Sequence, residues 1–294
     1  MTVTAPPAPR PPGPVDATPL RRPLGHSSNL VGVSTTLLAS PLFNDQPEPL
    51  ELPHVRATAR GLFEMLDEAE DMADAVQAFH AVMAATFCLD PEQRDPDDRP
   101  GRSAADGTRR FRASYLRLLK GWAFDTGGAE GAVLKGWVES RFGLLPTWHG
   151  GPIPHIPCPA WIRYVEQKMS SRFHDNAIHG QLDLVFTFCQ WVLRRFVLAP
   201  DQQHLTLYRG ANLRGEDQVL ARPDRRHAIV RFNNLTSFTG DRGVADCFGD
   251  WVLTVRAPAS KVVFFADLLP RHPLKGEAEF LVLGGDYTVE MSTL

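Results

Sequence analysis

Apolar residues recur at spacings of three and four through Leu62, Leu66, Ala69, Ala73, Val76, Phe79, Met83 and Phe87. That period predicts one long amphipathic helix, or two in succession, over residues 57–89. Glu64, Asp67, Glu68, Asp71 and Asp74 take the opposite, solvated face. Asp90-Pro91 ends the pattern, because the residue before a proline is pushed out of the helical region. Helical spacing returns over 111–124 (Tyr115, Leu118, Leu119, Trp122) and over 129–142 (Val133, Leu134, Trp137, Val138), with Gly127 and Gly128 between them. It returns again over 159–198, where Leu182, Val185, Phe186, Cys189, Val192, Leu193 and Phe196 form a buried stripe in a helix or pair of helices.

After Pro200 the pattern changes period. Short β-branched or aromatic runs at 204–209, 228–232, 251–256, 261–266, 280–283 and 287–291 are separated by Gly, Pro and Asp. A short helix is expected over 241–248, with Asp241 near its start. Helices first and strands later argue an α+β fold rather than a doubly wound sheet.

The segments between are less regular. Residues 1–23 are proline-rich and poor in large apolar side chains, so they read as a disordered head, neither signal peptide nor anchor. Residues 25–40 read as a structured loop or short strand, in which His26 and Asn29 either make loop hydrogen bonds or wall a binding site. The charged stretch 90–110 reads as a surface loop. Around Trp148, the residues His149, His155 and Cys158 have a spacing that fits no usual zinc pattern, so rigid loop packing is expected and no metal.

Composition narrows the picture. With 294 residues, 43% of them hydrophobic, the chain can bury a sizeable core as one domain or two unequal lobes. A net charge of −3 supplies no basic field for nucleic acid. No apolar run approaches the roughly 20 residues that span a bilayer. Cys88, Cys158, Cys189 and Cys247 are scattered, and most sit among apolar neighbours, which suggests buried free thiols in a reducing cytoplasm.

Three fragments carry candidate chemistry. Leu205-Thr206-Leu207-Tyr208-Arg209-Gly210 is an alternating strand that ends in an arginine and a glycine. Asn234-Leu235-Thr236-Ser237-Phe238-Thr239 places hydroxyls after a second strand. Glu277-Ala278-Glu279 precedes an apolar run, and residues two apart in a strand share a face, so two carboxylates would stand side by side. Each fragment has a plainer reading: a surface ion pair for Arg209, a turn serine for Ser237, a charged turn for the glutamates. Arg222, Arg225, Arg226, His227 and Arg231 form a basic cluster, either a solvated loop face or a contact for phosphate or an acidic protein.

Taken together, the three fragments resemble the Arg-Ser-Glu group of mono-ADP-ribosyltransferases. With Gly25-His26-Ser27-Ser28-Asn29-Leu30-Val31-Gly32, Leu145-Pro146-Thr147-Trp148-His149 and Leu274-Lys275-Gly276-Glu277, the chain from about Gly25 onward is similar to the NAD-dinitrogen-reductase ADP-D-ribosyltransferases. The resemblance implies a helical portion (24–200) leading into a split β-sheet core (201–294) that binds NAD, the two forming one compact unit. It implies transfer of ADP-ribose from NAD to an arginine of dinitrogenase reductase, the nitrogenase iron protein. A PII-type nitrogen-signalling partner is implied too. On this reading Arg209 holds the pyrophosphate and the Gly210 backbone bonds nicotinamide. Ser237 orients the catalytic Glu279, and Thr239 keeps the third hydroxyl of a Ser-Thr-Ser triplet in which Phe238 replaces threonine. Thr236 is an alternative for Ser237. Glu277 would engage the acceptor guanidinium, while Glu279 stabilises positive charge on the ribose. Another protein target, simple NAD hydrolysis or a silent binding module are the alternatives left open.

Overall fold

A computed structural model describes residues 29–89, 113–169, 173–213, 216–269 and 278–293. The proline-rich head, His26, the charged 90–110 stretch and Glu277 lie outside the described residues. Helices come first: α1 (Thr35–Leu38), α2 (Pro41–Asp45), α3 (Val55–Thr58), α4 (Arg60–Asp67), α5 (Met72–Phe87), α6 (Tyr115–Phe124), α7 (Ala129–Phe142), α8 (Pro159–Lys168) and α9 (Ile178–Val192). A π-helical turn, Leu193–Val197, closes α9. The 57–89 pattern is thus broken in two. Asp71 caps α5 by accepting from the Asp74 N–H at 2.8 Å, which starts a new helix where the apolar period alone runs through. Of the loop or short strand expected over 25–40, residues 29–34 are loop but Thr35–Leu38 are helical as α1, and Ser40 caps α2 with Pro41 in its first position. Helices of 4 and 5 residues make little more than one turn, so no spacing repeats that a sequence pattern could reveal.

The strands are β1 (His204–Ala211), β2 (Gln218–Ala221), β3 (His227–Thr239), β4 (Trp251–Pro258), β5 (Val262–Phe265) and β6 (Glu279–Thr293), with α10 (Arg242–Ala245) between β3 and β4. They form one antiparallel sheet in the order β2-β3-β1-β4-β6-β5, with β3 also paired to β6. β2 is absent from the sequence pattern because four residues hold too little alternation. The runs 280–283 and 287–291 are one strand, and β3 continues through the hydroxyl residues that were expected to follow it.

What joins them is a bulge. Asn233 and Asn234 of β3 oppose the turn of β6 at Gly284-Gly285, where the register slips between Phe232 and Leu235. A Cβ on Gly284 would lie 1.6 Å from the Asn233 carbonyl oxygen, so only glycine fits. Gly285 has φ +121°, and a Cβ there would meet the Ala39 backbone at 2.7 Å. These glycines let two long strands bend together instead of ending. β1 pairs with β4 along its full length but meets β3 at the single pair Tyr208↔Thr239.

Helices and sheet share one continuous apolar core. Gln190 of α9 donates to the carbonyls of Ala259 (3.0 Å) and Val262 (2.7 Å), and Phe188 stacks on Phe79 of α5 at 4.0 Å. Cys158 and Cys189 are buried, but Cys88 and Cys247 are exposed, so the expected burial of the thiols holds for two; all four are free. Among the described residues no helix is long and apolar enough to cross a membrane.

Candidate active site

Thr239, at the end of β3, is where three strands come together. It pairs with Tyr208 of β1 on one side and with Glu279 of β6 on the other. Directly opposed residues share a face, as do residues two apart. Ser237, opposite Leu281, therefore lies on the same face as Thr239 and Glu279, diagonal to the glutamate. Glu279 is buried, 6% exposed, at the first position of β6. The Thr239 hydroxyl accepts from the Asp241 N–H at 3.0 Å, which fixes the exit from β3. Thr236 falls on the opposite face and donates to the Asn233 carbonyl at 3.2 Å, so alternation removes it as a substitute for Ser237.

Arg209 reaches this point from β1. Its Nε donates to Asp217 at 2.9 Å, its Nη1 donates to the Ser237 carbonyl at 3.0 Å, and its Nη2 lies 3.5 Å from Glu216. A guanidinium has five N–H donors, so two remain for a further acceptor. Burial works against the Arg209 charge, but the carboxylates of Asp217, Glu216 and Glu279 outweigh it and hold the group protonated above the ordinary arginine range. Burial also pushes the Asp217 carboxyl up, against the pull of Arg209. Three carboxylates around one guanidinium leave the site negative. That balance suits a cation, such as the pyridinium of NAD, a ribosyl oxocarbenium or an acceptor guanidinium.

Gly210 has a packing reason of its own. A Cβ there would meet the Ala245 carbonyl oxygen at 2.2 Å and Phe248 Cβ at 2.9 Å, so the glycine lets the α10 segment cross β1 closely.

The helical portion supplies the rest of the site. Trp122 of α6 donates its indole N–H to the Ser237 hydroxyl at 2.9 Å. Lys135 of α7 is fully buried, donates to the carbonyls of Thr126 and Trp148 (both 3.0 Å), and lies 5.7 Å from the centre of the Trp122 ring. Burial lowers its pKa to about 8, with Glu216 and Asp125 opposing the fall. Asn233 donates to the Trp148 carbonyl (3.0 Å) and to Glu216 (2.9 Å). Asn234 donates to the carbonyls of Lys135 and Leu144 at 3.0 and 2.9 Å. None of Trp122, Lys135, Glu216, Asp217 or Asn233 is singled out by the sequence pattern as a site residue. Only the asparagine pair offers a signal, two adjacent amides that interrupt the alternation along β3.

Other candidates disperse. Arg231 forms a bidentate pair with Asp286 (2.7 and 3.0 Å), and Arg222 lies over Trp251. His227 pairs with Asp224 at 2.9 Å, while Arg225 and Arg226 face solvent. Asn29 closes its own loop, accepting from the Val31 N–H at 3.2 Å and donating to the Val33 carbonyl. His149 pairs with Gln167, His155 with the Pro157 carbonyl, and the Cys158 sulfur caps α8. Among the described residues no group of three His, Cys, Asp or Glu could hold a metal ion.

Residues 28–291 match the family described as dinitrogenase reductase ADP-ribosyltransferase (DRAT). The chain is 58% identical over 271 residues to the NAD(+)–dinitrogen-reductase ADP-D-ribosyltransferase of Rhodospirillum rubrum, covering 92% of this chain and 96% of that protein. No solved structure matches.

Proposed function

The chain belongs to the dinitrogenase reductase ADP-ribosyltransferase family, and we propose that it moves ADP-ribose from NAD to an arginine of dinitrogenase reductase, inactivating that protein and so regulating nitrogen fixation. The observation that carries this assignment is that Arg209 donates to the Ser237 carbonyl at 3.0 Å and feels the charge of buried Glu279, the diagonal cross-strand neighbour of Ser237. The bond from ribose C1′ to the nicotinamide nitrogen breaks, and nicotinamide leaves neutral. A bond forms from an acceptor guanidinium nitrogen to C1′, and the acceptor loses one proton. Positive charge develops on the ribose, and the Glu279 carboxylate stabilises it more in the transition state than in the ground state.

Arg209 has two tasks in this proposal. It knits Glu216, Asp217 and the Ser237 carbonyl together, and its remaining donors face a phosphate oxygen of NAD. Gly210 and Thr239 line the same end of the sheet. Glu277 takes its role through the family resemblance and not through strand spacing, since Ala278 is a turn residue at φ +44° and β6 begins only at Glu279: it aligns the acceptor guanidinium and takes its proton, because a protonated guanidinium is a poor nucleophile. The split form of the β core, a place in the cytoplasm and regulation by a PII-type nitrogen-signalling protein belong to the proposal through the family resemblance.

The test is mass spectrometry of the nitrogenase iron protein after incubation with the pure chain and NAD. One ADP-ribose on an arginine is the expected result. Nicotinamide release with an unmodified iron protein would make the chain a glycohydrolase or a transferase with another target. No release under any condition would make it a binding module.

A further inference from the structure

Ser237 does not stand alone at the end of its strand. Its Oγ accepts a hydrogen bond of 2.9 Å from the indole N–H of Trp122, a residue 115 positions earlier in the chain. An indole nitrogen can only donate, whereas a serine hydroxyl has one proton to give and two lone pairs to receive with. The bond therefore uses a lone pair of Ser237 and leaves its proton to be given elsewhere. On the face it shares with Thr239 and Glu279, the carboxylate is the diagonal cross-strand neighbour, and a glutamate is long enough to span that diagonal.

We propose that Trp122 is a positioning residue for ADP-ribosyl transfer, holding the Ser237 hydroxyl as a hydrogen-bond donor toward the Glu279 end of β6. This rests on the assignment of Ser237 and Glu279 given above.

Trp122 is itself fixed on several sides. It is 2% exposed, and the Lys135 ammonium sits over its ring at 5.7 Å. Lys135 and Asn233 both donate to the Trp148 carbonyl at 3.0 Å, Asn233 donates to Glu216, and Glu216 faces Arg209. Arg209 then donates to the backbone carbonyl of Ser237. The contacts make a closed circuit that grips Ser237 at both ends: its carbonyl through β1, its hydroxyl through the helical portion. A serine held at both ends cannot rotate its hydroxyl away from the reacting sugar, which is how a group outside the sheet influences the reaction. The circuit also gives the helical portion a direct part in the chemistry of the β core.

The experiment is a double-mutant cycle on the full chain, with steady-state transfer to the iron protein, equilibrium NAD binding and urea unfolding measured for each variant. Trp122→Phe keeps a buried ring and removes the N–H. Replacing Trp122 by β-(3-benzothienyl)alanine keeps the bicyclic shape as well and removes only the N–H, so it serves if the phenylalanine variant folds poorly. The expected result is a fall in kcat of roughly ten- to a hundredfold, the scale of misplacing a reacting group, with NAD affinity unchanged. Adding Ser237→Ala to either variant should lower kcat no further than Ser237→Ala alone, since the two residues act as one unit. Full activity in the benzothienyl variant, or effects of Trp122 and Ser237 that multiply, would overturn the proposal. Full activity in Ser237→Ala alone would instead overturn the assignment of Ser237 on which it rests.

Discussion

Lys135→Met should change how the stability of this protein depends on pH. The lysine is fully buried, and its pKa falls from 10.5 to about 8 because burial penalises the charged form. At roughly 1.4 kcal/mol per pH unit, that displacement means a cost of about 3 kcal/mol for holding the charge in the folded state. Below pH 8 both folded and unfolded lysine are protonated, and the folded protein carries the whole cost. Between about 8 and 10.5 the folded lysine has released its proton while the unfolded one keeps it. Stability therefore climbs with pH across that window, and the gain is lost again as pH falls through 8. Methionine has nothing to titrate, so the variant lacks the climb. It also leaves the Thr126 carbonyl without the Nζ bond, at about 1–3 kcal/mol. The two effects nearly offset near neutral pH, so the slope is decisive, not the absolute stability. Urea unfolding followed by tryptophan fluorescence from about pH 7.5 to about pH 10 measures it. Wild type should gain on the variant by roughly 1 kcal/mol or more per pH unit in the upper part of that range. Parallel profiles would refute the reasoning, and would mean that Glu216 and Asp125 keep the lysine charged in spite of its burial.

Three substitutions probe the site itself. Glu279→Gln removes the anion with little change in shape, so urea unfolding should be near normal while transfer falls by roughly two orders of magnitude or more; near-normal turnover with normal NAD binding would remove Glu279 from the chemistry. Glu277→Gln should abolish labelling of arginine yet leave slow NAD hydrolysis largely intact, because water needs no guanidinium alignment; an equal fall in nicotinamide release and arginine labelling would place Glu277 in ribose cleavage instead. Arg209→Lys keeps the charge but loses the fork that joins Asp217 to the Ser237 carbonyl. It should cost about 1–3 kcal/mol of stability and weaken NAD binding; calorimetry showing unchanged NAD affinity would leave the arginine a purely internal clamp.

The helices and most strands are legible in the sequence, because their signal is local. The 129–142 pattern coincides with α7, and the shift from helical spacing to alternation at Pro200 coincides with the passage from helices to sheet. Residues within one element alternate or repeat because they face one core, and that repetition needs no knowledge of what lies opposite. The candidates Arg209 and Glu279 were legible for a related reason. Arg209 and Glu279 each sit at the end or beginning of an apolar run, where a polar side chain is conspicuous, whereas Ser237 came only with the resemblance of the three fragments taken together.

What lies opposite was decided by tertiary structure alone. Whether Gly284-Gly285 ends a strand or bends it depends on the Asn233 carbonyl, which leaves no room for a Cβ. Whether Thr236 or Ser237 faces the glutamate depends on a register set by that same bulge, since a slip of one residue turns every side chain to the other face. The partners of Arg209 come from a segment with no periodicity to reveal them. Trp122 reads in the sequence as one more apolar residue of a helix stripe, and nothing within a turn of it signals that its N–H meets a serine 115 residues away. Local pattern records which face of an element is buried; only the packing of elements against one another decides which buried polar groups must satisfy each other, and in this protein that requirement ties Trp122, Lys135 and Asn233 to the site.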